Sequence, residues 1–307
     1  MDSDALKTFL TVHREGGVSS AARVLHRTQP AISRRIALLE QELGVPLFER
    51  IAGRSVLSDA GRVMVPYAER AVAATQDAEN AVRALAKPNA GAVALAVVGT
   101  LAGGQLTQVM RRFAKAQPNA ELALRTATSA EVSNFVRRGA AAIGLRYDRD
   151  RSPDLDCELI GTERLVVVCA SEHPLAGRRV AKLAQLRDER WIAFPEVPGR
   201  REITAAHILA LFRTHGLGDA DLTPIDSLTA QKRLVEAGFG LALLSDNHAA
   251  EEFASGSLAV IRVGDLNASQ DIAAVTRRGG FLSAASRGLL DLLREGYAAS
   301  ARKPRRR

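Results

Sequence analysis

Residues 18–37 read VSSAARVLHRTQPAISRRIA, and this stretch decides how the rest of the chain is read. Two short helices joined by a tight turn fit it. Ser19 is placed to cap the first, Ala21, Ala22 and Leu25 form a side small enough for another helix to cross closely, and His26 and Arg27 supply the break. Thr28 caps the second helix, in which Ile32, Ile36, Leu39 and Leu43 recur at spacings of four, three and four, and Gly44 follows as a C-terminal stop. The apolar stripe anchors one side of this helix, which leaves the opposite side free for a partner.

At ~100° per residue, Pro30, Arg34, Ala37 and Gln41 point away from the stripe, with Ser33 and Arg35 on the flanks. A helix enters a DNA major groove N-terminus first, where free N–H groups and the helix dipole favour phosphate and where Gln and Arg make bidentate contacts to base edges. On this reading Gln29 and Arg34 address base edges, Pro30 and Ala31 meet thymine methyls, Ser33 serves either, and Thr28 and Arg35 hold phosphate. The bland alternative is an Ala-rich helical pair inside a larger domain, with its arginines merely solvated.

These residues resemble the winged helix-turn-helix head of the LysR-type transcriptional regulators. Leu6, Phe9, Leu10 and His13 fit the opening helix of that head, and Leu38-Leu39-Glu40, Leu43-Gly44, Leu47-Phe48, Arg50, Gly53-Arg54, Val56, Leu57-Ser58 and Ala60-Gly61 follow in the family's order. The resemblance makes residues 45–58 a wing, a β-hairpin with Gly53 near its tip, from which Arg50 and Arg54 reach phosphate or the adjacent minor groove. The head then occupies residues 1–58, with its helix-turn-helix at 18–37.

From residue 59 to about 86 the pattern is helical. Met64, Tyr67, Ala71, Ala74, Ala78, Ala81 and Leu85 alternate spacings of three and four, as in a coiled-coil seam, and Pro66 should kink the helix early. Such a helix is ~40 Å long. A second copy of the chain is the natural cover for its stripe, the alternative being the chain's own second domain. Residues 59–88 are thus a linker and dimerisation helix, and the family usually assembles as a tetramer.

After the linker Lys87-Pro88-Asn89-Ala90-Gly91, short apolar runs alternate with amphipathic ones. Strands are expected at 93–98, 121–126, 141–146, 165–170, 191–194, 241–244, 258–262 and 271–276, and helices at 105–117, 130–138, 202–215, 229–237 and 281–298. Largely parallel sheets with helices on both faces follow. The resemblance implies a two-lobed type 2 periplasmic-binding-protein-like effector domain over 91–300, with lobe 1 at 91–161 and 268–300 and lobe 2 at 162–267. The fold class is α/β with an all-α head. His173-Pro174-Leu175-Ala176 and Ala237-Gly238-Phe239-Gly240 match the family's punctuation of lobe 2. Ala140-Ala141-Ala142 departs from it where members often carry an Asp, and Leu244-Ser245 departs where Leu-Pro is usual.

The net charge of +8 is unevenly spread. Residues 1–90 hold 12 Lys/Arg against 10 Asp/Glu, and residues 91–300 hold 25 against 24, whereas 301–307 hold five against none. The excess therefore sits in Arg302, Lys303, Arg305, Arg306 and Arg307, a basic tail able to add salt-sensitive, sequence-independent DNA affinity. The absence of an export leader or an apolar run near 18 residues suggests a cytoplasmic chain. Cys157 and Cys169 are too few for a disulfide scaffold, and a redox-sensing pair is the family's alternative use for them.

There is no His-Glu-x-x-His, Cys-x-x-Cys, Gly-x-Ser-x-Gly or Walker-type loop, so an enzyme has no motif to stand on and no cofactor or metal is expected. In doubly wound lobes a ligand lies beyond the strands' carboxyl ends, near helix N-termini suited to a carboxylate or phosphate. Thr100 and Leu101, Thr128 and Ser129, and Ser227 meet that condition, and Gly199, Arg200 and Arg201, leading into the helix at Glu202, are placed to add a guanidinium. They predict a small-molecule effector, anionic on this reading, although Ser129 and Ser227 also fit as ordinary N-caps. The expected partners are double-stranded DNA carrying an interrupted palindrome, the effector, another copy of the chain and RNA polymerase, with no membrane. A free-standing solute-binding protein would use the same lobes, but the head argues against it.

Overall fold

The computed structural model describes residues 1–51, 54–86, 92–196 and 203–301. The chain forms two compact units, one built on Met1–Pro88 and the other on most of the remainder.

In the first unit, α1 (Ser3–Arg14) begins where the Asp2 carboxylate accepts the Ala5 N–H at 2.6 Å, and it buries Leu6, Phe9 and Leu10. α2 (Val18–Val24) follows, with Gly17 rather than Ser19 at its N-cap. His26, at φ 50°, turns the chain into α3 (Gln29–Leu43). Ile32, Ile36 and Leu39 are buried against α1 and α2. Leu43 is 38% exposed, so the stripe ends one turn earlier than its spacing implied. Gly44 closes the helix in the left-handed region at φ 72°, where a side chain would be strained.

The strands β1 (Phe48–Ile51) and β2 (Arg54–Leu57) pair antiparallel, with Phe48 opposite Leu57 and Ile51 opposite Arg54. Gly53 lies outside the described residues. The hairpin is tied to α3 by Glu40, whose Oε1 accepts the N–H groups of Leu47 (2.7 Å) and Phe48 (3.2 Å). Ser58 then starts α4 (Asp59–Ala86), accepting the Gly61 N–H while donating to the Pro46 carbonyl at 2.7 Å. A Cβ on Gly61 would lie 2.2 Å from the Leu47 carbonyl oxygen, so only glycine lets α4 pass this close to the wing.

α4 is continuous over its 28 residues and contains Pro66. Met64, Val65, Ala68 and Val72 pack on the head core. Met64, expected in the seam, therefore belongs to the head. Tyr67, Ala71, Ala74, Ala78 and Leu85 are exposed, joined by Val63 and Val82.

The second unit contains a ten-stranded sheet among its described residues. β3 (Ala92–Val98) pairs parallel with β4 (Glu121–Ala127) and β5 (Ile143–Tyr147). α5 (Gly104–Ala116) and α6 (Ser129–Arg137) connect them. The central element is β6 (Leu155–Ala170). Its first ten residues pair antiparallel with β12 (Ser269–Arg277), and its last six pair with β10 (Leu241–Ser245) and β11 (Leu258–Val263). The apolar side chains of Leu155, Ile160 and Ile272 join one core, whereas Leu165, Val167, Leu266 and Ala268 join another. The chain therefore crosses between two cores at residues 161–164 and again near 266–270. Gly161 sits at this crossing, where a Cβ would come within 3.0 Å of the Tyr297 carbonyl.

β7 (Arg179–Val180), β8 (Trp191–Ala193) and β9 (Leu222–Pro224) complete the second core's sheet, with α7 (Ile203–Thr214), α8 (Leu228–Glu236) and α9 (Ala250–Ser255). α10 (Ala284–Ala301) returns to the first core, burying Leu289, Leu293 and Tyr297. Within each lobe the βαβ pairings are parallel as expected. The two crossing strands pair antiparallel, and that makes the whole a mixed sheet rather than a largely parallel one. Residues 155–160, β7, β9 and α9 were not among the expected elements.

Candidate nucleic-acid interface and interlobe cleft

α3 turns its buried stripe inward and leaves Thr28, Gln29, Pro30, Ala31, Ser33 and Arg34 exposed. Thr28 occupies the N-cap with its hydroxyl uncommitted to the helix, so both the hydroxyl and the first-turn N–H groups remain open to a phosphate. The Ser19 hydroxyl donates to Gln29 Oε1 at 3.3 Å, which leaves the Gln29 amide N–H groups outward. Arg35 is half-buried and donates to Asp4 at 2.5 Å, beside Arg27, which donates to the same oxygen at 3.2 Å. Sequence reasoning gave Arg35 a phosphate and missed its acidic partner on α1. Arg50 is exposed on β1 and Arg54 lies on β2, so both belong to the hairpin beside α3.

In the second unit a cavity of 1620 Å³ opens between the lobes. From the first lobe it is lined by the turn at Gly99–Leu101 and by the start of α5, whose N-cap, Gly103, offers no side chain to its N–H groups. Thr100, Leu101 and Thr128 line it as expected, but Ser129 and Ser227 do not. Ser129 is buried and accepts the Tyr147 N–H, while Ser227 caps α8 by accepting the Ala230 N–H. Thr128 is part of a capping box in which it donates to Glu131 and accepts the Glu131 N–H, so its hydroxyl serves α6 first. Gly199, Arg200 and Arg201 lie outside the described residues, as do 302–307.

Beneath the cavity lies a polar cluster that sequence reasoning did not find. Thr100 donates to the Tyr147 hydroxyl at 3.1 Å, Tyr147 donates to Glu163 at 3.1 Å, and His248 Nε2 lies 3.2 Å from Tyr147 and 3.3 Å from Glu163. Tyr147 ends β5 of the first lobe, Glu163 sits at the crossing in β6, and His248 follows β10 of the second. Burial, reinforced by the Glu163 charge, pushes the Tyr147 phenol well above its usual range and keeps it a donor. Burial also holds the His248 imidazole below 6.5, with Lys232 pushing the same way against the attraction of Glu163. A lone Glu among strand residues was the available signal, but only the fold brings Tyr147 and His248 to it.

Both cysteines lie on β6, twelve positions apart along one strand, a separation of ~40 Å against the 7 Å that a disulfide allows. Burial also raises both thiols, Cys169 to about 11. The redox-pair alternative has no geometric support. Among the described residues, no helix is long and apolar enough to cross a membrane, and no group of three or more His, Cys, Asp or Glu is placed to hold a metal.

Residues 3–62 match the bacterial regulatory helix-turn-helix protein family of lysR type, and residues 86–298 match the LysR substrate binding domain. The chain belongs to the LysR family of transcriptional regulators. It is 30% identical over 298 residues to the HTH-type transcriptional regulator CbbR of Xanthobacter flavus, covering 94% of this chain and 86% of that one. With CbbR of Rhodospirillum rubrum it shares 28% identity over 94% of both chains. The crystal structure of CbnR, a LysR family transcriptional regulator, superposes with a TM-score of 0.65 at 25% identity, covering 97% of this chain and 99% of that one. CbnR complexed with its target DNA gives 0.63 over 96% of this chain and all of that one. This LysR regulator thus couples a DNA-binding helix-turn-helix to an effector-binding domain, and its relatives are regulators rather than enzymes.

Proposed function

We propose that this LysR regulator reads an interrupted palindrome with the exposed face of α3. Gln29 and Arg34 address base edges, Pro30 and Ser33 lie against the groove, and Thr28, Arg35, Arg50 and Arg54 hold the backbone. The observation that carries this reading is the division of one helix into a buried Ile32–Ile36–Leu39 side and an exposed polar side. Arg35 exchanges Asp4 for phosphate on binding. Heads paired by a two-fold axis require half-sites separated by ~10 base pairs or a multiple of it.

The exposed stripe of α4 pairs two copies into a dimer, and dimers associate into a tetramer. Functionally the chain divides into the head at 1–58, the linker helix at 59–88, the effector domain at 91–300 and the basic tail at 301–307. Lobe 1 comprises 91–161 and 268–300, and lobe 2 comprises 162–267. A small effector bearing an anionic group occupies the interlobe cleft, touching Thr100, Leu101 and Thr128. It shifts the relative orientation of the paired heads, DNA bending and contact with RNA polymerase in the cytoplasm.

Footprinting the full-length regulator on the promoter beside its own gene tests this. Protection of two half-sites one or two helical turns apart is the expected result. A single unpaired protected site, or none, overturns it.

A further inference from the structure

The charges around the cleft describe the ligand more closely than the helix N-termini do. Among the described lining residues, four carboxylates, Glu163, Asp226, Asp246 and Glu251, face two cations, Arg164 and Lys232. Lys232 is already committed, 2.6 Å from Glu252 and donating to the His248 carbonyl at 3.1 Å. Glu163 differs from the other three carboxylates in having a side chain only 4% exposed. The Tyr147 hydroxyl donates to it and the His248 ring lies 3.3 Å away, but burial raises the phenol well above its usual range and holds the imidazole below 6.5, so neither brings a charge to it at neutral pH. A buried carboxylate that is hydrogen-bonded but not neutralised is costly unless a cation joins it.

The first lobe supplies the opposite polarity. At the start of α5, Gly103 and Gly104 have open space where a Cβ would stand, and no side chain caps the N–H groups. Thr100, in the turn just before α5, reaches Glu163 through Tyr147 by two hydrogen bonds of 3.1 Å in series. The Thr100 hydroxyl and the Glu163 carboxylate are therefore no further apart than twice that length, and the uncapped N–H groups of α5 start three residues after Thr100 on the wall of the same cavity.

We propose that the effector is a zwitterion of amino-acid type, its carboxylate held at the start of α5 and its protonated amine against Glu163. This rests on the cleft being the effector site.

The test uses the full-length protein and a panel of free L-amino acids, each compared with the amine lacking its carboxylate and the carboxylic acid lacking its amine, by thermal shift and calorimetry. At least one amino acid binds at least ~10-fold more tightly than either of its fragments, and Glu163→Gln weakens it by at least ~30-fold. Glu163→Gln preserves the size and the bond to Tyr147, and the wild-type comparison stands even if that variant folds poorly. The proposal is overturned if a carboxylic acid without an amine binds best, if Glu163→Gln leaves amino-acid affinity unchanged, or if no panel member binds below about 1 mM. Gly103→Trp, which fills the cleft, separates the two levels. Amino-acid binding that survives it places the ligand elsewhere and overturns the cleft reading as well, whereas binding lost in Gly103→Trp but intact in Glu163→Gln overturns only the charge assignment.

Discussion

Val82 and Leu85, on the last turns of α4, are 67% and 82% exposed in the single chain, and pairing of two α4 helices is the natural way to cover them. Replacing both with Glu keeps good helix formers at exposed positions, so the isolated chain retains its fold. Fully burying a Val or Leu is worth ~1.5–3 kcal/mol, and the lower figure suits side chains at a helix end. Two-fold symmetry counts each position twice, giving a loss of ~6 kcal/mol, which corresponds to a ~10⁴-fold weaker dimer. Four new carboxylates brought together near the axis make this a lower bound. Sedimentation velocity over a concentration series reads the effect directly. The double variant sediments as a monomer where the parent is a dimer or tetramer, with an unchanged circular dichroism spectrum. An unchanged mass distribution refutes the reasoning and returns the stripe to some other cover.

Glu40→Ala strips the acceptor from the Leu47 and Phe48 N–H groups and lowers head stability by about 2 kcal/mol, read as an earlier urea midpoint, while Glu40→Gln recovers part of it. Gly61→Ala drives a methyl into the Leu47 carbonyl and costs about 1–3 kcal/mol by overpacking; a variant as stable as the parent shows that α4 can move off the wing. Because burial sets His248 below 6.5 in the folded chain, the unfolded chain binds more protons between those two values. Stability conferred by a neutral His248 is therefore complete above 6.5 and is lost as pH falls from there through the folded value. Melting temperatures across that window should fall less steeply in His248→Gln, and identical slopes contradict the buried assignment.

The head was legible because its signals are local. The spacing of Ile32, Ile36 and Leu39 and the glycine at 44 act within one helix, and α4 could be read from an unbroken 28-residue pattern. Leu43 failed because periodicity continues past the point where the neighbouring helices stop covering it. Ser19 failed because α2 already begins at Val18, after the left-handed Gly16 at φ 70° has turned the chain. In the second unit the continuous apolar strands were visible, but residues 155–160 were not singled out, although Leu155, Cys157 and Leu159 alternating with Asp156 and Glu158 carry the period of a strand. The cluster of Thr100, Tyr147, Glu163 and His248 spans 149 positions and exists only after the two lobes fold together. The logic of helix N-termini pointed to Thr100 and Thr128, which line the cavity, and to Ser129 and Ser227, whose hydroxyls are taken up by the scaffold itself.

The central claim is that the exposed side of α3 reads base sequence. It is tested most directly by measuring the affinity of Arg34→Ala for the footprinted promoter duplex and for a scrambled duplex of the same length, at one fixed salt concentration. The account predicts a loss of ~1–3 kcal/mol on the promoter site with little change on the scrambled one, so the ratio between them collapses by ~10-fold or more. An equal drop on both duplexes would contradict it, leaving Arg34 as a phosphate contact and the face of α3 without a reader.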